Sequence, residues 1–195
     1  HDGPATLVFA RQALPHLQML AAELPGAALR LWGRRDDAVA ELIRHAATSG
    51  IAVEHSASPE AAVDASDVVV TVTSATRPLF RSAALSDRAL VCAVGATKYD
   101  RCELDPELIA RCAAVVCDDA AGSRVECGDL IHAERTGHFD WSRAIELHDL
   151  VAGNVDVPRA GAAPVLFETQ GVALQDVAAA GLAWQRWLAR GGTAA

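Results

Sequence analysis

Two arginines follow one of the predicted strands, at a position where their side chains could bind a phosphate group. The sequence there reads Leu31-Trp32-Gly33-Arg34-Arg35. In a dinucleotide-binding fold, an acidic side chain at the end of the second strand binds the ribose 2′-hydroxyl, whereas an arginine accommodates a 2′-phosphate. These arginines therefore favour NADP(H) and leave NAD(H) possible. The alternative is that both arginines simply face solvent.

The turn that holds the pyrophosphate in such a fold lacks its usual glycines here. A G-x-G-x-x-G turn normally joins the first strand to the first helix, because glycines let the backbone approach the phosphates. In this chain Phe9 runs directly into Ala10-Arg11-Gln12-Ala13. Taken alone, this segment argues against a bound dinucleotide.

Two later strands end in small or hydroxyl-bearing residues. Ligands of open α/β folds bind at the carboxyl ends of the strands, so we expect these residues to border a cofactor. A glycine at one of these ends would let the backbone come close to a nicotinamide. The alternative is that all of them are ordinary turn residues. The residues concerned are Thr71, Thr73 and Ser74 after one strand, and Val94, Gly95 and Ala96 after the next.

Asp105 is predicted to begin a helix and could also do chemistry. It precedes Pro106 and Glu107, and this order is typical of an N-cap, a first helical residue and a favourable charge in the first turn. A carboxylate at the edge of a sheet can also exchange a proton with a substrate amine, so capping does not exclude catalysis. The histidines show no metal-ligand spacing, and we predict no metal site.

The elements that must position these residues alternate along the chain. Short apolar runs are separated by amphipathic segments, which is the pattern of βαβ units. We therefore predict an α/β fold of the Rossmann type, with a doubly wound, mostly parallel sheet. Helices are predicted at residues 10–24, from a cap at Asp36 onward, at 59–65 after a cap at Ser58, and at 171–190. Strands are predicted at residues 5–9, 28–32, 51–54, 67–72, 89–94, 113–117 and 163–167.

Composition excludes several classes of protein. The 195 residues provide one substantial domain. A net charge of -8 lacks the basic excess that sequence-independent binding of nucleic acid requires. No apolar run approaches the roughly 20 residues that span a membrane. The five cysteines form no C-x-x-C pair, which favours a reducing, cytoplasmic location. The chain begins at His1, and we expect no secretion signal there.

Several successive segments resemble the ornithine cyclodeaminase/mu-crystallin family. Their order and spacing agree with that family over nearly the whole chain. The resemblance implies a Rossmann domain over residues 1–170 and a C-terminal helix over 171–195 that packs toward a separate N-terminal domain, which this chain lacks. It also implies a homodimer, in which the N-terminal domain supplies the dimer interface, substrate-binding arginines and a catalytic lysine. The segments are WGRRDDAVAELI, ASPEAAVDASDVVVTVTSATRPLF, VGATKYDRCELDPELIARCAAVVCDD, ECGDL and PVLFETQGVALQDVAAAGLAW.

The resemblance also implies roles for individual residues. Asp105 matches the family's catalytic aspartate, which exchanges a proton with the substrate nitrogen. Arg34, with Arg35 beside it, matches the ribose-phosphate position. The hydroxyl residues at 71, 73 and 74 match a cofactor-lining strand end, and residues 94–96 match the nicotinamide edge. Glu126, Gly128, Asp129 and Leu130 fit a helix with a structural role.

The phosphate loop departs from the family pattern in length. Gln12, Ala13 and His16 match a G-x-G-x-Q-A-x-x-H pattern, but only two residues separate Phe9 from Gln12, where four are expected. We favour the interpretation that loop residues are missing from this sequence. If the loop is truly shorter, binding of the cofactor is in doubt.

Three functions are compatible with this sequence. The first is an NADP(H)-preferring reductase of an amino-acid-derived cyclic imine such as pyrroline-2-carboxylate, which Arg34 favours. The second is ornithine cyclodeaminase, which uses NAD to convert ornithine to proline and ammonia. The third is a non-catalytic protein that keeps the fold and binds the dinucleotide. Each would take a small-molecule ligand.

Overall fold

The computed structural model describes residues 4–9, 13–158 and 163–191, and eight strands within them form one sheet. Every pair of neighbouring strands is parallel. The predicted α/β class with a doubly wound parallel sheet is confirmed. The strands are β1 (Ala5–Phe9), β2 (Leu29–Trp32), β3 (Val53–His55), β4 (Val68–Val72), β5 (Leu90–Ala93), β6 (Ala114–Cys117), β7 (Ala144–Glu146) and β8 (Val165–Glu168).

The strands run across the sheet in the order β3-β2-β1-β4-β5-β8-β6-β7. The chain builds outward from β1 to β3 and then crosses back to β4 on the other side of β1. This reversal makes a crevice at the carboxyl ends of β1 and β4, where ligands bind in open α/β sheets. The last strand, β8, lies between β5 and β6 and pairs with both of them.

Eight helices and two short 3-10 turns, at Ser82–Ala84 and Trp141–Arg143, connect the strands in the described parts of the chain. Both caps predicted at Ser58 and Asp105 are confirmed, since each side chain accepts a hydrogen bond from its helix. The helices are α1 (Ala13–Glu23), α2 (Asp36–Thr48), α3 (Pro59–Val63), α4 (Pro106–Arg111), α5 (Ala120–Glu126), α6 (Gly128–Arg135), α7 (Leu147–Val151) and α8 (Ala173–Ala189).

Two details of the sequence prediction are wrong. Asp36 does not cap α2: it is the first helical residue, and Arg35 occupies the cap without a side-chain hydrogen bond. Asp36 and Asp37 instead place negative charge in the first turn, where the helix dipole favours it. Strand β7 was not predicted, because its three residues are all half-buried and give no alternating pattern.

Strand β4 separates two apolar cores. All five of its residues are buried, as expected for a central strand covered on both faces. Val68, Val70 and Val72 pack with residues of α1 and α2 on one face, whereas Val69 packs with residues of α4 and α6 on the other. The two layers of helices hold the strand ends in place from both sides.

Helix α8 differs from the rest of the fold. It is confirmed near its predicted position, yet none of its side chains is buried. Its apolar residues, including Trp184 and Trp187, whose rings stack 5.0 Å apart, face away from the described parts of the protein. Among the described residues, no helix is long and apolar enough to cross a bilayer.

Candidate functional site

The carboxyl ends of β4 and β5 meet at the crevice beside β1. Thr73 and Gly95 are half-buried there, and Ser74 is exposed. Val94 is also half-buried, and its backbone amide donates to the carbonyl of Thr71 at 2.8 Å. These four predicted residues, at 73, 74, 94 and 95, therefore form one surface at the strand ends.

Two of the predicted cofactor residues lie behind that surface. Thr71 is fully buried, and its hydroxyl donates to Glu103 at 2.9 Å. Ala96 is 1% exposed, and its carbonyl accepts a hydrogen bond from Gly128 at 3.1 Å. Neither side chain is open to a ligand, so both contribute by supporting the strand ends.

Glu103 joins the two strand ends and was not singled out from the sequence. Its carboxylate is fully buried and accepts hydrogen bonds from the Thr71 hydroxyl at 2.9 Å, the Thr73 amide at 2.6 Å and the Gly95 amide at 2.8 Å. A glutamate in a connecting loop carries no periodic signal of burial. Only the three-dimensional packing shows its role.

Gly95 is required by this packing. A Cβ atom there would lie 2.3 Å from the Thr73 carbonyl oxygen and 2.5 Å from Glu103 Oε1. The space beside its Cα atom is therefore filled by the protein itself. The close approach of the two strand ends explains the glycine without a ligand.

The start of α6 supports the loop that carries Glu103. Asp129 Oδ1 accepts hydrogen bonds from the backbone amides of Glu103 at 2.7 Å and Leu104 at 2.9 Å. A Cβ atom on Gly128 would lie 1.9 Å from the carbonyl oxygen of Arg101, so the helix and the loop are in close backbone contact. Glu126 and residues 128–130 were expected on one helix, but Glu126 ends α5 and Gly128 begins α6. The start of α6 holds the backbone of the segment from Ala96 to Leu104.

Three fully buried carboxylates lie behind this edge, at Glu103, Asp129 and Glu168. Burial raises the pKa of Asp129 to about 7, and the nearby Glu103 charge adds to this, while hydrogen bonds from two backbone amides oppose it. Burial also raises the pKa of Glu168 well above its ordinary value, and the Asp129 charge adds to that shift. Burial raises the pKa of Glu103, and hydrogen bonds from Thr71, Thr73 and Gly95 oppose this shift.

The two predicted phosphate-binding arginines differ in their contacts. Arg35 pairs with Asp37, with 3.2 Å between the guanidinium and the carboxylate. Arg34 is exposed and makes no ion pair or side-chain hydrogen bond within the described residues. Its position after β2, on one side of the crevice, leaves its charge available to an anion.

Asp105 follows Glu103 by two positions in the chain, and both of its carboxylate oxygens accept hydrogen bonds from the protein. Its Oδ1 atom accepts from the Glu107 amide at 3.1 Å, and its Oδ2 atom accepts from the Ser82 amide at 3.0 Å. The carboxylate therefore caps α4 and also ties the helix to the 3-10 turn at Ser82–Ala84. It is partly accessible to solvent.

The remaining predictions concern the phosphate loop and metals. Gln12 lies outside the described residues, whereas Ala13 is the first residue of α1 and is buried. Within residues 4–9, 13–158 and 163–191, no cluster of three histidine, cysteine or acidic side chains could hold a metal ion. The crevice thus offers an arginine on one side and a polar strand edge on the other, which fits the two ends of a dinucleotide. In the sequence, the segment that follows Phe9 lacks the glycines of the usual pyrophosphate loop.

Comparison with known proteins gives a consistent picture. The model of the ornithine cyclodeaminase/mu-crystallin family matches residues 7–191. The chain is 39% identical, over 87% of its length, to a Delta(1)-pyrroline-2-carboxylate/Delta(1)-piperideine-2-carboxylate reductase of Azospirillum brasilense. It is 29% identical, over 90% of its length, to the ketimine reductase mu-crystallin of Mus musculus. The chain spans 51% and 52% of these two relatives.

Solved structures share the same fold. The chain superposes with a TM-score of 0.82 on a probable ornithine cyclodeaminase of Bordetella pertussis, at 31% identity, covering 98% of this chain and 62% of that one. It superposes with a TM-score of 0.84 on the iminosuccinate reductase of Paracoccus denitrificans in complex with NAD+, at 26% identity, covering 96% and 58%. A Delta(1)-pyrroline-2-carboxylate reductase of Thermococcus litoralis, 24% identical with a TM-score of 0.88, shares the fold over the whole chain and 61% of its own length.

Proposed function

Because this chain belongs to the ornithine cyclodeaminase/mu-crystallin family, we propose that it is the dinucleotide-binding part of an NAD(P)H-dependent reductase of cyclic imino acids. The observation that carries the proposal is its 39% identity to the reductase of Azospirillum brasilense. Two Burkholderia proteins that are 39% and 37% identical are named as reductases of the same imine. The substrate would be an amino-acid-derived ketimine of the pyrroline-2-carboxylate type.

The geometry of the crevice supports binding of a nicotinamide dinucleotide. Arg34 would bind the 2′-phosphate of the adenosine end, and Thr73, Ser74, Val94 and Gly95 would border the nicotinamide end. The nicotinamide supplies the hydride that reduces the imine carbon. This chain's own contribution is to hold the two ends of the cofactor.

Preference for NADP(H) is the first prediction, and Arg34→Asp tests it. The substitution removes a charged hydrogen-bonding partner of the 2′-phosphate, so we expect NADPH affinity to fall by about tenfold or more. NADH affinity should change much less. Dissociation constants from nicotinamide fluorescence measure both.

Arg35→Asp is the matched control, because Arg35 already pairs with Asp37. It should lower the affinity for NADPH less than Arg34→Asp does. Equal losses of NADPH and NADH affinity in Arg34→Asp would rule out the 2′-phosphate assignment. Gln12 and Ala13 remain candidates for the pyrophosphate on the resemblance alone.

Asp105 carries a capping role in the structure and a proton-exchange role in the proposal, and Asp105→Asn separates them. If the side chain exchanges a proton with the substrate nitrogen, turnover should fall more than about tenfold, which is about 1.4 kcal/mol of barrier. If it only caps α4, the substitution should lower the melting temperature slightly and leave kcat unchanged. Measuring kcat and thermal unfolding on the same samples gives both values.

Asp119→Asn is the control for capping. The Asp119 side chain accepts a hydrogen bond from the Ala121 amide at 3.0 Å and caps α5 in the same way as Asp105 caps α4. Its substitution should cost a similar amount of stability with wild-type turnover. If Asp105→Asn behaves identically, Asp105 is a helix cap and nothing more.

The exposed α8 supports a division into residues 1–170 and 171–195. Six of its large apolar side chains are between 42% and 74% exposed, and an apolar face of this size normally packs against protein. We propose that α8 packs on a separate domain and that the enzyme is a homodimer. The six exposed side chains are those of Leu174, Val177, Leu182, Trp184, Trp187 and Leu188. All five cysteines are free, and a cytoplasmic location would keep them so.

One assay of the full-length protein tests the proposed function. It combines pyrroline-2-carboxylate with NADPH or NADH, and ornithine with NAD. Oxidation of the reduced dinucleotide by the imine supports the proposal. Proline and ammonia from ornithine would replace it with ornithine cyclodeaminase, the second candidate, which the likeness to the Bordetella pertussis protein favours. Dinucleotide binding without either reaction would indicate a non-catalytic binding protein.

A further inference from the structure

We propose that Glu103 is a positioning residue for the nicotinamide end of the cofactor, acting through the strand ends that its carboxylate joins. This inference rests on the proposed function, because it assigns the edge formed by Thr73, Ser74, Val94 and Gly95 to the nicotinamide. Glu103 is fully buried, so it does not contact the cofactor.

The donors around Glu103 fit a carboxylate and no other side chain of its length. Two backbone amides and the Thr71 hydroxyl point at its two oxygens. A backbone amide can only donate, so at least two of the three partners require an acceptor. A glutamine at this position would direct its own NH2 group at one of these donors and lose that hydrogen bond.

The hydrogen bonds also fix the separation of the two strands beyond their last ladder pair. Thr71 and Ala93 are the last paired residues of β4 and β5. Beyond them, the Thr73 and Gly95 amides are held by the same carboxylate. Within the described residues, no other group accepts hydrogen bonds from both the Thr73 and Gly95 amides, so without this carboxylate the edge that borders the ligand is free to open.

The backbone of Glu103 is itself held on two sides. Its amide donates to Asp129 Oδ1 at 2.7 Å, and its carbonyl accepts from the Leu79 amide at 2.8 Å. The side chain therefore cannot withdraw from the strand ends by a shift of the loop. Such a fixed support is what a cofactor site needs in order to keep its geometry before the ligand binds.

Glu103→Gln in the full-length protein tests this role. We expect NADPH affinity and kcat at saturating cofactor each to fall by about tenfold or more, because a buried donor loses its partner at the nicotinamide edge. Affinity for 2′,5′-ADP, which carries only the adenosine end, should not change. A general loss of folding would lower the affinities for NADPH and 2′,5′-ADP together. A loss for NADPH alone therefore separates positioning from structural support.

Two further variants complete the test. Glu146→Gln is the matched control, since Glu146 accepts from the Ala120 amide at the far edge of the sheet. It should leave both affinities and kcat unchanged. Thr71→Val removes one of the three donors while keeping the side-chain shape. It should lower the affinity for NADPH by a smaller factor than Glu103→Gln does and leave the affinity for 2′,5′-ADP unchanged.

The outcomes are distinct. A folded Glu103→Gln protein with wild-type NADPH affinity and kcat overturns the inference and leaves the proposed function intact. If Glu103→Gln does not fold, Thr71→Val decides: wild-type NADPH affinity and kcat overturn the inference, and a selective loss supports it. A wild-type protein that binds neither NADPH nor NADH overturns both the proposed function and this inference.

Discussion

Gly128→Ala is expected to lower the free energy of unfolding by about 3 kcal/mol or more, which corresponds to a fall in Tm of about 6–12 °C. A Cβ atom at this position would lie 1.9 Å from the Arg101 carbonyl oxygen and 2.5 Å from that of Lys98. Both are backbone atoms, so α6 and the loop must move apart. Thermal and urea denaturation measure the loss.

Gly181→Ala is the control for this substitution. Gly181 lies within α8, and among the described residues no atom outside the neighbouring backbone of this helix stands within 4 Å of the Cβ atom that alanine would add. Alanine favours a helix over glycine by up to about 1 kcal/mol, so stability should stay the same or rise. If Gly128→Ala proves as stable as Gly181→Ala, the close contact between α6 and the loop is absent in solution.

Asp129→Asn is expected to flatten the dependence of stability on pH. Burial raises the pKa of Asp129 from 3.8 to about 7, so between those values the folded protein holds a proton that the unfolded chain has released. Stability from this group is therefore greatest at low pH and is lost as pH rises toward 7. We expect wild type to lose up to about 4 kcal/mol more than the variant over this range, measured by urea denaturation, because a change of one pKa unit corresponds to about 1.4 kcal/mol.

The groups that face Asp129 do not reverse the direction of this change in stability with pH. Glu103 and Glu168 are buried carboxylates whose pKa values are also raised, and the pKa values of the Cys102 and Cys127 thiols are raised, to about 12 for Cys102. The two carboxylates disfavour a second negative charge, whereas the Cys102 thiol hydrogen-bonds the Asp129 carboxyl and lowers its pKa by less than burial raises it. An Asp129→Asn protein with the wild-type pH profile would exclude titration of this carboxyl.

Asp140→Asn serves as the control for the pH profile. Asp140 is exposed, and hydrogen bonds from Ser142 hold the pKa of its carboxyl below the ordinary value. Its contribution therefore has the opposite sign: it is present above the ordinary pKa and is lost as pH falls. The substitution should leave the loss of stability between pH 4 and 7 essentially as in wild type.

Features that depend on local sequence could be predicted. The run at residues 68–72 is apolar throughout, and it forms the buried central strand β4. Ser58 and Asp105 stand directly before proline, and both cap their helices. Asp36 was assigned wrongly, because adjacent polar residues leave the first helical residue ambiguous by one position.

Features that depend on distant contacts could not be predicted. Glu103 is hydrogen-bonded to Thr73, 30 positions earlier in the chain, and to Asp129 of α6, 26 positions later. No periodicity marks such a residue, and its neighbour Asp105 drew attention as a recognisable cap. Gly95 was predicted to let the backbone approach a nicotinamide, and that contact stays a prediction; in the structure the Thr73 backbone and Glu103 fill the space beside its Cα atom.

The position of β8 in the sheet constrains how the protein can fold. This strand joins β5 to β6, yet its residues 165–168 follow β6 by almost 50 positions along the chain. Until they arrive, β6 and β7 have no strand partner linking them to β5. During synthesis the sheet therefore cannot close until residues 165–168 have left the ribosome, and the unpaired edges of β5 and β6 stay open to other chains until then.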